Sequence, residues 1–237
     1  MSVAQNLKDI EARIEAACTR SGRKREDVVL VGVSKLQPIE KIREAHVAGL
    51  RDFAENYMQE SFEKQDELLA MNLRWHFIGR IQSKKAKSLA GKFALIHSVD
   101  RSEIADIINR QDLRRPQEIL LQYNVASEDS KGGVSESLLG KLFADCVEHE
   151  NIRVMGLMVM PPLTENPESA RLYFRKAREM RDALRSSLNG EMLKQHPMSQ
   201  LSMGTTQDFE VAIEEGATFV RVGTSIFGER PVTGGRP

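Results

Sequence analysis

The sequence predicts one (β/α)8 barrel over residues 1–237, with an extra helix at its amino end. Three observations lead there. Short aliphatic runs alternate with amphipathic helical stretches eight times, strand first, which is the pattern of a closed parallel barrel. The runs are apolar throughout rather than at every second residue, as in strands buried on both faces. The length of 237 residues suits one barrel, and no linker or composition shift divides it. A doubly wound open sheet is the alternative. It usually has fewer strands and a glycine-rich first turn, and Ser34-Lys35-Leu36-Gln37-Pro38 is not one.

Residues 3–21 carry Leu7, Ile10, Ile14 and Ala17 at helical spacing, and Ser21-Gly22-Arg23 ends that helix. The first strand is Val28-Val29-Leu30-Val31-Gly32-Val33-Ser34-Lys35, in which five of eight residues are large aliphatics. Pro38 opens the next helix, with Ile39, Ile42 and Ala45 inward and Gly49 near its end. Residues 52–56 form the second strand, followed by a helix to about Ala70. Residues 74–79 are the third, before a basic helix at 83–90. Residues 93–99 are the fourth, before a helix bearing Ile104, Ile107 and Ile108. Residues 118–125 are the fifth, and a helix at about 135–149 sets Leu138, Leu142 and Cys146 on one face. Residues 152–160 are the sixth, stopped by Pro161-Pro162 and followed by a helix at 167–188. Residues 200–204 are the seventh, before a short helix with Phe209, Ala212 and Ile213. Residues 217–224 are the eighth, and a last short helix surrounds Ser225-Ile226-Phe227.

Lysine plus arginine equals aspartate plus glutamate, 34 against 34, so no global field steers the chain to nucleic acid or anionic lipid. The cluster Lys84-Lys85-Ala86-Lys87 reads as a solvated helix face. Cys18 and Cys146 lie far apart on apolar stripes and read as core fillers. Cys146 and His149 are one helical turn apart, but no second pair completes a zinc site, so no metal is expected. No apolar stretch has the length of a membrane span or a signal sequence. A cytoplasmic setting without membrane contact is the expectation. The helix faces offer no large apolar interface, so a monomer is expected.

In such barrels chemistry sits at the mouth formed by the loops after the strands. Lys35 closes the first strand there. Partial desolvation disfavours its ammonium and favours a nucleophilic amine able to condense with an aldehyde. The plain alternative is a stem laid over the strand end with its charge in water. Barrels often hold phosphate in the loops after strands seven and eight. Gly204 with Thr205 and Thr206, and Gly223 with Thr224 and Ser225, suit that use. Ordinary helix capping is the other reading. Arg221 shares a face with Gly223, and a barrel arginine needs a partner. A ligand atom or an interior carboxylate such as Glu55 is the candidate.

Several motifs occur in one order: Val33-Ser34-Lys35, Glu55-Asn56-Tyr57-Met58-Gln59-Glu60, Trp75-His76-Phe77-Ile78-Gly79, Ile81-Gln82-Ser83, Ser130-Lys131-x-Gly133, Gly156-Leu157-Met158, Leu201-Ser202-Met203-Gly204 and Val220-Arg221-Val222-Gly223-Thr224-x-Ile226-Phe227-Gly228. With them the chain resembles the pyridoxal phosphate homeostasis proteins, the YggS/PROSC family of PLP-binding barrels, whose barrel is similar to that of alanine racemase. The resemblance implies pyridoxal 5′-phosphate (PLP) as cofactor, in a Schiff base with Lys35. It implies Arg221 near the pyridine nitrogen and Asn56 beside the ring. It implies phosphate held at Gly204, Thr206, Gly223 and Thr224, with Ser202 and Met203 lining the pocket. Lys131 matches a second lysine near the mouth. Ala54 stands where the family usually has glycine, and Lys84 where asparagine is common. Thr205-Thr206 stands where the family usually reads Met-Ser, so Thr206 keeps the hydroxyl and Thr205 loses a thioether.

The function this implies is PLP homeostasis by a carrier without robust catalysis, with apo PLP-dependent enzymes as receivers. A cationic, donor-only arginine disfavours a protonated pyridine and weakens the electron sink. Racemases on a similar barrel add a second, β-rich domain and a partner subunit, and only about a dozen residues follow the eighth strand here. A racemase-like PLP enzyme and a PLP-free barrel acting on a phosphorylated sugar are the alternatives.

Overall fold

The structure, a computed structural model, describes residues 2–128, 132–162 and 164–229. Its centre is a closed barrel of eight parallel strands in sequence order. These are β1 (Val29–Val33), β2 (Asp52–Glu55), β3 (Arg74–Phe77), β4 (Leu95–Val99), β5 (Gln117–Tyr123), β6 (Ile152–Val159), β7 (Gln200–Ser202) and β8 (Phe219–Val222). Closure is direct, since β1 pairs with both β2 and β8. The helices are α1 (Val3–Arg20), α2 (Ile39–Val47), α3 (Met58–Glu67), α4 (Ser83–Ala86), α5 (Ser102–Asn109), α6 (Glu136–Val147), α7 (Arg171–Ser186), α8 (Gly190–Gln195), α9 (Phe209–Glu214) and α10 (Thr224–Phe227).

Side-chain alternation divides each strand between two environments. Leu30, Phe53, Phe77, Ile96, Ile119, Leu157, Leu201 and Val220 join the large core between barrel and helices. Leu95, Leu120 and Met158, with Met155 and Phe219, form a small apolar plug inside the barrel. Around that plug the interior is polar, with Asp52, His76, His97, Ser202 and Arg221 all buried. The extra helix α1 packs against α2, α9 and α10. Its Asn6 amide donates to Ile226 O at 2.9 Å, satisfying a carbonyl in the last turn of α10.

The eight βα units expected from the sequence are present. Three details differ. On α6 the buried stripe is Leu139, Leu142, Phe143 and Cys146, while Leu138 is 56% exposed. Both leucines lie one turn from Leu142, and the bulk of Phe143 draws the inward face to the Leu139 side. The expected helix at 167–188 is a 3-10 turn at Pro167–Ala170 running into α7. Helix α8 was not expected: it has six residues, opens on Gly190 and buries none of them fully. Its start is the Asn189 side chain, which accepts the Met192 N–H.

Candidate functional site

Lys35 stands in the turn directly after β1, half-buried at the carboxyl end of the barrel. Both its neighbours are fastened to one buried ammonium. Lys64 of α3 donates to Ser34 O at 2.7 Å, to Glu55 Oε1 at 2.8 Å and to Glu60 Oε1 at 2.7 Å. The Ser34 hydroxyl donates to the same Glu55 oxygen at 2.7 Å. On the other side of Lys35, the Leu36 N–H donates to Glu60 Oε1 at 2.6 Å. Leu36 has φ of 59°, a left-handed backbone that costs a non-glycine residue roughly 1–2 kcal/mol. The Glu60 bond and the Gln37 N–H to Ser34 O bond hold that turn. Burial pushes the Glu55 carboxyl up against the opposing pull of Lys64 and Ser34, and its second oxygen has no donor.

The loop after β8 meets the end of β1, and the loop after β7 is fastened to β8. The Arg221 backbone N–H donates to Gly204 O at 3.0 Å, tying the loop after β7 to strand β8. A Cβ placed on Gly223 would lie 3.3 Å from Val33 O, so this loop rests on the last residue of β1. Gly204 has φ of +88°, and a Cβ there would fall 2.6 Å from the Ala212 Cβ and 2.8 Å from Phe209 Cα. Only glycine lets this turn close on α9. Thr205 spends its polar atoms internally: its N–H and hydroxyl donate to Asp208 Oδ1 at 2.6 and 3.0 Å. The residue that replaces the family's methionine is therefore part of the loop's own bracing. Thr206 is half-buried and Thr224 exposed at the first position of α10, where the early N–H groups have no helical acceptor.

Arg221 is buried, and its charge is not met by a carboxylate. It donates to Ser202 Oγ at 2.6 Å and to Val159 O at 3.1 Å, and among the described residues it forms no ion pair. Burial pushes it down to about 10, opposed by the negative field of Asp208, so it remains cationic at neutral pH. Glu55 is not its partner. By alternation Asp52 and Ala54 face the barrel interior, while Phe53 and Glu55 face the helices. Asn56, just past β2, is half-buried, and its Oδ1 is enclosed without a donor. A Cβ on Gly79 would lie 1.9 Å from Asn56 O, so glycine at the exit of β3 permits that approach.

These observations test the fit of a phosphorylated, aromatic aldehyde. Lys35 stands in a braced turn at the end of β1, where the glycine-threonine loop after β8 rests on Val33. A buried cation without a counterion and an enclosed acceptor without a donor supply polar groups for a ring. Ser202 is wholly buried beneath Arg221, and Met203 is buried in the core between barrel and helices. Ser130 and Lys131 lie outside the described residues.

Sequence reasoning passed over Lys64, Asp52, His76 and His97. Histidines within aliphatic strands were the available signal, because a polar residue on an inner barrel face needs a partner. The Cys146 thiol is buried and pushed up to about 12, while His149 turns to Asp106 Oδ1 at 2.9 Å.

Comparison with known proteins gives the family and the fold. The alanine racemase N-terminal domain family matches residues 5–231. Relatives named pyridoxal phosphate homeostasis protein are 46% identical in Aquifex aeolicus, over 97% of this chain and 99% of theirs. The Escherichia coli relative of the same name is 40% identical over 96% of this chain and 97% of its own. PipY of Synechococcus elongatus, solved with PLP bound, is 32% identical with a TM-score of 0.75, over 96% of this chain and 100% of that one. An alanine racemase from Corynebacterium glutamicum, 13% identical, shares the fold with a TM-score of 0.70 over 97% of this chain and 64% of its own. With such identity along nearly its whole length, this chain belongs to the family of pyridoxal phosphate homeostasis proteins.

Proposed function

We propose that residues 1–237 act as one PLP-binding barrel serving intracellular PLP homeostasis, with the cofactor aldehyde in a Schiff base with Lys35. The phosphate is held by Gly204, Thr206, Gly223 and Thr224, Arg221 faces the pyridine nitrogen, Asn56 lies beside the ring, and Ser202 lines the pocket, with Met203 behind it in the core between barrel and helices. The observation that carries this reading is the approach of the Gly223 loop to Val33 at the foot of the Lys35 turn, with the Gly204 loop tied to neighbouring β8 through the Arg221 N–H.

PLP supplies an aldehyde and an electron sink, and the protein decides how strongly that sink draws. Arg221 offers the nitrogen a donor and no acceptor, so it holds the ring unprotonated. Lys64 and Glu60 hold the amine's backbone, and the loops hold the anion. This set binds and orients without a second acid–base group assigned to the substrate, so no catalytic residue is assigned. Apo PLP-dependent enzymes are the proposed receivers, and a monomer in the cytoplasm, whose reducing conditions suit two buried free cysteines, is the proposed state. Among the described residues no helix is long and apolar enough to cross a membrane.

The test is a titration of purified apo protein with PLP, followed by visible absorption. A lysine-bound chromophore should form in the wild type and be absent in Lys35→Ala. Incubation of the loaded protein with single L-amino acids in heavy water then separates carrier from racemase. Transfer of PLP to an apo-enzyme without deuterium at Cα supports the carrier, and rapid Cα exchange supports a racemase-like enzyme.

A further inference from the structure

The polar interior of the barrel extends well beyond the groups that face the mouth. Ser202 Oγ, which accepts from Arg221 at 2.6 Å, lies 2.8 Å from His97 Nδ1. His97 Nε2 lies 2.9 Å from His76 Nδ1, and His76 Nε2 lies 3.0 Å from Asp52 Oδ1. Asp52 Oδ2 accepts from Arg74 Nη2 at 2.6 Å. The chain of bonds thus crosses the interior from the last residue of β7 to the first residue of β2. Its four inner members are buried, His97 and Ser202 completely. Phe219 packs against both rings, with centroids 5.7 Å from His76 and 5.6 Å from His97. Glu118 joins Asp52, Arg74 and His76 around a cavity of about 140 Å³ at the opposite end of the barrel.

Proton counting gives this chain a direction. Arg221 has only donors, so it occupies a lone pair of Ser202. If the Ser202 hydroxyl donates to His97 Nδ1, the His97 proton sits on Nε2 and goes to His76 Nδ1. The His76 proton then sits on Nε2 and goes to the Asp52 carboxylate. Every atom is paired with both rings neutral. In the opposite order, a neutral His76 would turn a bare Nε2 lone pair toward a carboxylate oxygen 3.0 Å away, two acceptors facing each other with no proton between them. Burial, with the cationic Arg221 nearby, also holds His97 well below the ordinary imidazole range, in keeping with a neutral ring.

We propose that His97 and His76 are positioning residues for Arg221: anchored on Asp52 and Arg74, they orient the Ser202 hydroxyl in one sense and thereby fix the guanidinium at the barrel mouth. The proposed cofactor reading enters only in what that guanidinium faces. The relay itself belongs to the cofactor-free chain and is tested there.

The experiment is long-range proton–nitrogen NMR on apo protein labelled at histidine and arginine, at pH 7. The His97 proton should sit on Nε2, facing His76 Nδ1, and an Nδ1 proton on His97 would overturn the proposal. In His97→Phe the Arg221 guanidinium protons should exchange about tenfold faster or more, the loss of one bond to a charged group. His97→Asn, whose amide oxygen takes the place of Nδ1, should restore them. Unchanged exchange in His97→Phe, or no restoration in His97→Asn, contradicts the positioning role. Should His97→Phe fail to fold, Ser202→Ala removes the acceptor with a smaller change and should give the same acceleration, and its absence is equally decisive against. A wild-type chain that takes up no PLP would overturn the proposed function while leaving these proton readouts to judge the relay.

Discussion

Lys64 Nζ lies 2.8 Å from Glu55 Oε1, with the two side chains 5% and 0% exposed, directly under the turn that carries Lys35. One lysine is buried so that another is aimed. The same ammonium reaches Ser34 O on one side of Lys35 and, through Glu60, the Leu36 N–H on the other. The ion pair therefore sets the backbone that carries Lys35, the amine proposed to hold the cofactor.

Lys64→Met should cost about 3–5 kcal/mol of stability, because it leaves the Glu55 carboxyl buried beside a lost countercharge. The double variant Lys64→Met/Glu55→Gln should recover part of that loss. Urea unfolding of the two variants and the wild type checks this, and a single variant within about 1 kcal/mol of wild type would remove the pair from the account.

The burial of His97 predicts a pH dependence. Its folded-state titration lies well below the 6.5 of the free side chain, for the desolvation already described. Below about pH 6.5 the unfolded chain binds a proton that the folded chain refuses, so stability present above that pH is lost as pH falls. The slope is about 1.4 kcal/mol per pH unit for one proton. His196, also lowered by burial, acts in the same direction. Unfolding curves between pH 7 and pH 5 should therefore show a smaller slope in His97→Asn by about one proton, and equal slopes would contradict it.

Thr206→Val and Thr224→Val remove hydroxyls proposed for the phosphate. Each should weaken PLP binding about tenfold or more, with little change in unfolding midpoint. Thr205→Val should behave differently, because its hydroxyl braces Asp208. It should lower stability by about 1 kcal/mol and weaken binding only through the loop's altered shape. Equilibrium dialysis beside thermal unfolding separates the two patterns.

Gly204→Ala tests the cradle directly. The φ of +88° and the 2.6 Å approach to the Ala212 Cβ leave no space for a methyl group. The variant should lose about 1–3 kcal/mol and most PLP affinity together. Retained affinity would mean that the β7 loop does not hold the phosphate.

The barrel was legible because its strands are short, apolar and regularly spaced, and because Lys35 and the two glycine-threonine loops fall at strand ends, where position alone carries meaning. Glu55 was assigned to the wrong face, although the same period-2 rule that set Arg221 inward sets Glu55 outward. Nothing local marks Lys64, because Glu60 and Lys64, spaced i and i+4, have the pattern of any exposed helix pair. Only the fold brings them under the β1 turn. The relay from Asp52 to Ser202 draws on four strands spread along the chain and has no local motif. Helix α8 depends on one capping asparagine and little apolar burial, too weak a signal to register.

The central claim is that Lys35 is the amine that holds the cofactor. Reducing the PLP-loaded protein with borohydride and mapping the product by mass spectrometry tests this most directly. A single phosphopyridoxyl group on the peptide containing Lys35 is the predicted result. Attachment at another lysine, or none in protein that has bound PLP, would contradict it.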